Sequence, residues 1–267
     1  MGCTISCVPI CTDDRDAVSL QSQVLKARRD AISDAFQHAW DGYTRHCFGH
    51  DTLRPVSNTC EDDFGGWGAT PIDSLSTAII MRKEDVVTQI MEYIASLNLD
   101  SMPHGTQFQV FETNIRHFGG MISAWDLLHG PFSDMVQNQT LRDALYNQMV
   151  KLGEKLSCSF SSAGVPHDWL NPSTCKPDSG TRTALTNAGT MILEFARLSA
   201  ITSNDTYAYL ATRAEEYLLR PEPADNEPFP GLLGSYVDTS DGHITDYSGS
   251  WGAMSDCKKA LLVSLEP

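Results

Sequence analysis

The sequence predicts an all-α protein, built from antiparallel helix pairs wound as a toroid or solenoid, with one small β-hairpin near its end. Three observations lead there. Apolar residues recur at helical spacing in successive windows along the chain. Pro, Gly and Asn cluster between those windows. One late stretch, GSYVDTSDGHITDY, alternates about a tight Asp241-Gly242 turn. The 267 residues suffice for one large domain with a substantial core.

The first helix runs from Ala17 to about Cys47, with Leu25, Ile32, Phe36, Ala39, Trp40 and Tyr43 at helical spacing. Pro55, Asn58, Gly65, Gly66 and Gly68 make Asp51 to Pro71 a loop. Pro71 suits the first turn of a second helix, Ile72 to about Leu97. A third runs from about Val110 to Leu128 and stops at Gly130-Pro131. A fourth spans about Ser133 to Cys158, with Ser133-Asp134 as its cap. Residues 159–182 read as loop, followed by helices from about Thr183 to Leu198 and from about Thr206 to Leu219. PEPADNEPFPGLLG is irregular, and the tail WGAMSDCKKALLVSLEP suits a short helix. Consecutive helices joined by short links pack antiparallel.

Composition narrows the function. Apolar residues are 41% and charged residues 20%, a globular balance. Lys and Arg number 19 against 34 Asp and Glu, a formal net charge of −15. Such a surface has no footprint for nucleic acid or anionic lipid, and suits a neutral or cationic partner; sugars are neutral. No stretch approaches the 18 apolar residues of a membrane span. The first segment, MGCTISCVPICTDDRD, lacks the basic start of a signal peptide, although Gly2 to Ser6 fits the short myristoylation pattern. Of eight cysteines, Cys3, Cys7 and Cys11 stand four apart, and none forms a CxxC pair. Cys47 with Cys60, and Cys158 with Cys175, can each close a short loop in a secreted chain; scattered reduced thiols are the alternative. Asn138-Gln139-Thr140 and Asn204-Asp205-Thr206 are glycosylation sequons, whereas Pro172 disqualifies Asn171. The histidines show no metal-ligand spacing.

Chemistry concentrates in two places. In VFETNIRHFGGMISAWDLL, Glu112 and Arg116 stand four apart, on one helix face. Gly119 and Gly120 are costly inside a helix, so something must approach closely there. The loop EDDFGGWGATPIDSLST gathers Glu61, Asp62, Asp63, Phe64, Trp67 and Asp73. Aromatic faces stack on the C–H face of a pyranose while carboxylates take its hydroxyls, so such a loop suits sugar binding; a capped, solvated loop is the plain alternative. Glu194, in LEFARLS, is a lone acid in an apolar stretch, paired in a core or facing a cavity. Asp256 follows Trp251-Gly252. No nucleophile elbow, phosphate loop or dinucleotide fingerprint is present.

Five segments in order, AFQHAWDGYTRHCFGHDTLRPVSN, GGWGATPIDSLSTAIIM, VFETNIRHFGGMISAWDLL, LEFARLS and PFPGLLGS, resemble a fungal class I α-1,2-mannosidase of glycoside hydrolase family 47. The resemblance covers about Ala31 to Asp256 and implies an (α/α)7 barrel. It also implies removal of terminal α-1,2-linked mannose from high-mannose N-glycans with inversion, a bound calcium ion, and a secretory or extracellular home. Membrane association occurs in the family. Carried over by motif, Glu112 is the general acid acting through a water, Asp256 an active-site carboxylate, and Arg116 and Glu194 line the sugar subsite. Asp63 and Trp67 of the acid–aromatic loop join them as substrate-binding candidates. An inverting glycosidase holds two carboxyl groups about 6.5–9.5 Å apart, and its acid must be protonated near neutrality.

The pattern also departs from the family. Members run to roughly twice this length, and the aromatic-rich SFYEYL continuation is replaced by CKKALLVSLEP. The resemblance places the second catalytic Glu and the calcium-binding Thr in the half not represented. The expectation is therefore an extension at 1–30, the N-terminal half of the barrel at 31–256 and a divergent tail at 257–267, with weak or absent hydrolysis. A non-catalytic mannose-glycan binder and a helical scaffold are the alternatives.

Overall fold

The computed structural model describes residues 14–221, 232–249 and 252–253, with side chains from residue 21 onward. The expectations for the cysteines at 3, 7 and 11, the myristoylation pattern, the irregular segment after Pro221 and the short tail helix lie outside the described residues. Contacts divide the chain into two units, Met1–His46 and Cys47–Pro267.

Among the described residues, the first unit is a single helix. Helix α1 (Asp14–Cys47) fits the expectation. Leu25 and Ile32 of its predicted stripe stay exposed, while the Trp40 and Tyr43 rings meet at 5.7 Å.

The second unit is mostly helical, as the periodicity requires, but two of the predicted helices are broken and a third is irregular. The expected helix over 72–97 is two, α2 (Ala69–Ile80) and α3 (Glu84–Ser96). The chain reverses at Arg82, which takes a left-handed φ of 54° with neither Gly nor Pro beside it to signal a turn. Its guanidinium bonds Asp134 at 2.7 Å and lies 5.3 Å from the Phe132 ring centre, which fixes the corner from outside. The third predicted helix is continuous but irregular: α4 (Val110–Glu112), a π segment (Thr113–Phe118) and α5 (Gly119–His129). Helix α6 (Gln139–Ser157) starts later than expected, because Asn138 rather than Ser133 caps it. The fifth is interrupted at Met191 into α7 (Leu185–Thr190) and α8 (Ile192–Thr202), and α9 (Asp205–Leu219) follows.

These helices pack by sequence neighbourhood: α8 with α9, and α2 with α3 and α5, while α3 also meets α6. Ile72, Leu75 and Ile79 of α2, Ile90 and Ile94 of α3, and Leu145, Met149 and Leu152 of α6 are all essentially inaccessible. Each such side chain contributes roughly 1.5–3 kcal/mol of transfer energy. Phe118 and Phe195 meet edge-on at 5.8 Å and join the π segment to α8. A smaller cluster gathers Val165, Leu185, Leu218, Leu233, Val237 and Ile244.

Short strands stitch the loops. β1 (Thr52–Arg54) and β2 (Thr59–Glu61) form a hairpin closed by the Cys47–Cys60 disulfide. β3 (Phe108–Gln109) pairs antiparallel with β4 (Trp169–Asn171), and β4 with β5 (Lys176–Pro177), beside the Cys158–Cys175 disulfide. β6 (Arg182–Ala184) pairs with β7 (Tyr236–Asp238). The predicted Asp241-Gly242 turn is present: Asp238 N–H donates to His243 O at 2.8 Å, and Val237 bridges Ile244. Yet the main partner of β7 is β6, some fifty residues earlier, where the sequence predicts loop giving way to the start of a helix at about Thr183. Among the described residues, no helix is long and apolar enough to cross a membrane.

Candidate active site

The site is built on the irregular turn between α4 and α5. A π turn carries one residue more than an α turn and recurs at functional sites. Here the Gly119 N–H reaches back five residues to Asn114 O. The segment presents opposite sides to different neighbours. Thr113, Asn114, His117 and Phe118 are buried, while Glu112 and Arg116 remain partly accessible.

Arg116 is the hub. Its Nε donates to Glu112 Oε2 at 2.8 Å, its Nη1 lies 3.5 Å from Asp73 Oδ2 of α2, and its guanidinium sits 4.6 Å from the Phe64 ring centre. The stacking fixes the plane of the fork, and the two carboxylates fix its direction. Asp73 has a pKa pushed up by burial, opposed by the Arg116 charge and hydrogen bond, with the nearby Glu112 charge adding to the rise.

Glu194, in the first turn of α8, reaches the same irregular helix through Asn114. Its Oε2 accepts from Asn114 Nδ2 at 2.9 Å, and its Oε1 lies 3.3 Å from where a Cβ on Gly119 would stand. Burial pushes the Glu194 carboxyl up from its ordinary value, and the Asn114 hydrogen bond only partly offsets this. Gly120 serves a second approach: a Cβ there would fall 2.7 Å from Ile72 O of α2. The glycine pair is thus explained by two close neighbours, a backbone carbonyl and a carboxylate.

The acid–aromatic loop divides by destination. Phe64 and Asp73 reach Arg116. Trp67 does not offer the stacking face expected of it: it is 1% exposed, packs 5.2 Å from Phe108, and donates Nε1–H to Ser101 O at 3.1 Å. Asp63, also expected at the sugar, is exposed, and its charge acts on Arg54, whose ion-pair partner is Glu61. Asp62 takes His50 at 2.9 Å and His104 at 3.0 Å. Asp256 and Trp251 lie outside the described residues. Of the six expected site residues, the structure therefore brings Glu112, Arg116 and Glu194 to one turn. Asn114 and Phe64 were not singled out as site residues. The position of Asn114 between Glu112 and Arg116 in the same motif was the available signal for the first.

His117 is the histidine of this π segment. It is fully buried, sits edge-on 6.2 Å from Trp67, and neither ring nitrogen has a hydrogen-bond partner among the described residues. Burial lowers its pKa to about 4; the Asp51 charge opposes the drop and Arg116 adds to it. The folded value lies below the unfolded 6.5, so this histidine favours folding fully above pH 6.5. That contribution is lost as pH falls from about 6.5 to about 4, and amounts to roughly 3 kcal/mol. His117→Phe should flatten the dependence of the urea midpoint on pH in that window, relative to the parent. An unchanged slope would show that another group carries it.

Among the described residues, no group of three or more His, Cys, Asp or Glu side chains could hold a metal ion. The residues here do not by themselves make a calcium site.

The chain is 43% identical over 245 residues to the mannosyl-oligosaccharide alpha-1,2-mannosidase 1B of Aspergillus phoenicis, covering 91% of this chain and 47% of that protein. It is 42% identical over 241 residues to the mannosyl-oligosaccharide alpha-1,2-mannosidase of Penicillium citrinum, covering 90% and 47%. The solved α-1,2-mannosidase from Trichoderma reesei superposes with a TM-score of 0.85 at 39% identity, covering 89% of this chain and 50% of that one. The helix pairs are therefore similar to half of an (α/α)7 fold. The chain spans about half the length of the curated relatives it matches. The sequence model of glycosyl hydrolase family 47 matches residues 35–258, and the chain belongs to that family.

Proposed function

We propose that this chain supplies the acid wall of a mannosyl-oligosaccharide α-1,2-mannosidase, which hydrolyses terminal α-1,2-linked mannose from N-glycans with inversion. The observation that carries the reading is the convergence of Glu112, Arg116 and Glu194 on one π turn. Glu112 is the general acid and protonates the leaving oxygen through a water. Arg116, held flat by Phe64, donates to the sugar and keeps Glu112 oriented. Glu194, biased by burial toward its protonated form, both donates to and accepts from a sugar hydroxyl. Asp256 is carried over by motif as a further active-site carboxylate, and the second carboxylate that an inverting mechanism needs is the Glu that the resemblance places outside this chain. The calcium ion implied by the resemblance would be held by ligands beyond the described residues, and no step here runs through it. The two disulfides support a secretory place of action, because such bonds persist in oxidising compartments.

The test uses the chain alone and the chain joined to the remaining length of the Penicillium citrinum relative, each given an α-1,2-linked mannobiose. The joined protein is expected to release mannose, and the chain alone little or none. In the joined protein, Glu112→Gln should lower turnover by about 10²–10⁴-fold, the range for losing a general acid. Disaccharide affinity should change little. Turnover within twofold of the parent would remove Glu112 from the acid role.

A further inference from the structure

We propose that Asn138 and Asn204 are N-glycosylation sites whose side-chain nitrogen carries the glycan while the oxygen of the same amide caps a helix. Both open an Asn-x-Thr triplet and both are exposed. Both are helix N-caps with extended backbone. Asn138 Oδ1 accepts from the Thr140 N–H at 3.0 Å, and Asn204 Oδ1 from the Thr206 N–H at 3.1 Å. Among the described residues neither Nδ2 has a protein partner, so each points to solvent with nothing to give up.

The chemistry asks for that arrangement. In glycan transfer, Nδ2 attacks the anomeric carbon of a lipid-diphosphate-linked oligosaccharide. The new N–C bond forms, the C–O bond to the diphosphate breaks, the lipid diphosphate leaves, and one Nδ2 proton passes to a base. The carbonyl oxygen takes no part. A cap that uses only Oδ1 therefore survives modification, whereas an asparagine donating through Nδ2 to the protein would have to break that bond first. Asn114 and Asn187 donate in that way, and neither begins a sequon.

The fold also places both asparagines away from the carboxylates. From Arg116 the helix runs to His129, about 20 Å at 1.5 Å per residue, before the loop that reaches Asn138. From Glu194, α8 runs about 12 Å to Thr202, and Asn204 follows the turn. Each sequon thus stands at the end of its helix opposite the acid cluster, where a branched oligosaccharide leaves the cavity open. Both disulfides imply passage through the oxidising compartment in which such transfer happens.

The experiment expresses the full chain behind a secretion leader in yeast. Peptides from secreted and cell-retained protein are analysed by mass spectrometry after endoglycosidase H. A retained N-acetylglucosamine is expected on Asn138 and Asn204, with none on Asn171. Thr140→Ala and Thr206→Ala should each remove one glycan yet melt within about 1 °C of the enzymatically trimmed parent, because the cap stays. Asn138→Ala, which loses glycan and cap together, should melt roughly 2–4 °C lower. Unmodified Asn138 or Asn204 peptides in protein with both disulfides formed would overturn the assignment at that position. A Thr140→Ala variant that melts as low as Asn138→Ala would overturn the shared use of the amide. Neither readout depends on mannose release, so failure here and failure of the catalytic reading are separate results.

Discussion

Replacing Asp51 by alanine is expected to leave little folded protein. Asp51 is 1% exposed, and its carboxylate accepts three backbone N–H groups: Phe64 at 2.8 Å and Gly66 at 2.7 Å on Oδ2, and Ala69 at 2.9 Å on Oδ1. Its own carbonyl takes the Thr70 N–H at 3.1 Å. One side chain thus closes the glycine-rich loop onto the start of α2. Alanine strands three donors in a region closed to water, at about 1–3 kcal/mol each, so a total of roughly 5 kcal/mol is a fair expectation. That is comparable to the whole stability of many domains. The damage also reaches the site, because the loop carries Phe64 onto Arg116. Asp51→Asn keeps one acceptor oxygen and turns an N–H₂ toward the remaining donors, and should fall between parent and Asp51→Ala. Urea midpoints of the three proteins give the comparison. A midpoint for Asp51→Ala within about 0.5 kcal/mol of the parent would mean that the loop is organised by something else.

Asp51 also marks the limit of what a reader of the sequence can see. The helices were legible because periodicity reports burial, and Glu112, Arg116 and Glu194 were legible because they sit at fixed spacing or alone among apolar neighbours. The glycine pair at 119 and 120 was legible as an anomaly, a cost that had to be offset by a close approach. Asp51 gave no such sign. It precedes a short hairpin in a loop rich in acids, and only the folded chain separates the one carboxylate that is buried from those on the surface. The same reason explains Trp67 and Asp63. An acid–aromatic loop near a carboxylate motif looks alike whether its indole faces a sugar or Phe108. The corner at Arg82 was hidden for a different cause. A left-handed residue there is held by an ion pair and a ring contributed from fifty residues on, which no local pattern announces.

Gly120→Ala should destabilise the protein although local propensity says the reverse. Exchanging a mid-helix glycine for alanine ordinarily stabilises by about 1 kcal/mol. At Gly120 the added Cβ would stand 2.7 Å from Ile72 O and 3.2 Å from Ile72 Cγ2. The obstacle is backbone, so no rotamer change relieves it, and α5 must move away from α2. Those helices pack closely, with Ile72, Leu75, Met121 and Ala124 fully inaccessible. Separating them exposes that packing, and a net loss of roughly 2–4 kcal/mol follows, within the range for strained cores. At this chain length that lowers the melting temperature by about 4–12 °C. Gly120→Val, with two further methyl groups, should fail to yield folded protein. Gly119→Ala provides the contrast. Its Cβ meets the end of a side chain, Glu194 Oε1 at 3.3 Å, which can yield by a few tenths of an ångström. Stability should therefore stay within about 1 kcal/mol of the parent, while mannose release by the joined protein falls because Glu194 is displaced. Equal melting of Gly120→Ala and the parent would show that the two helices do not approach as closely as the Ile72 carbonyl requires.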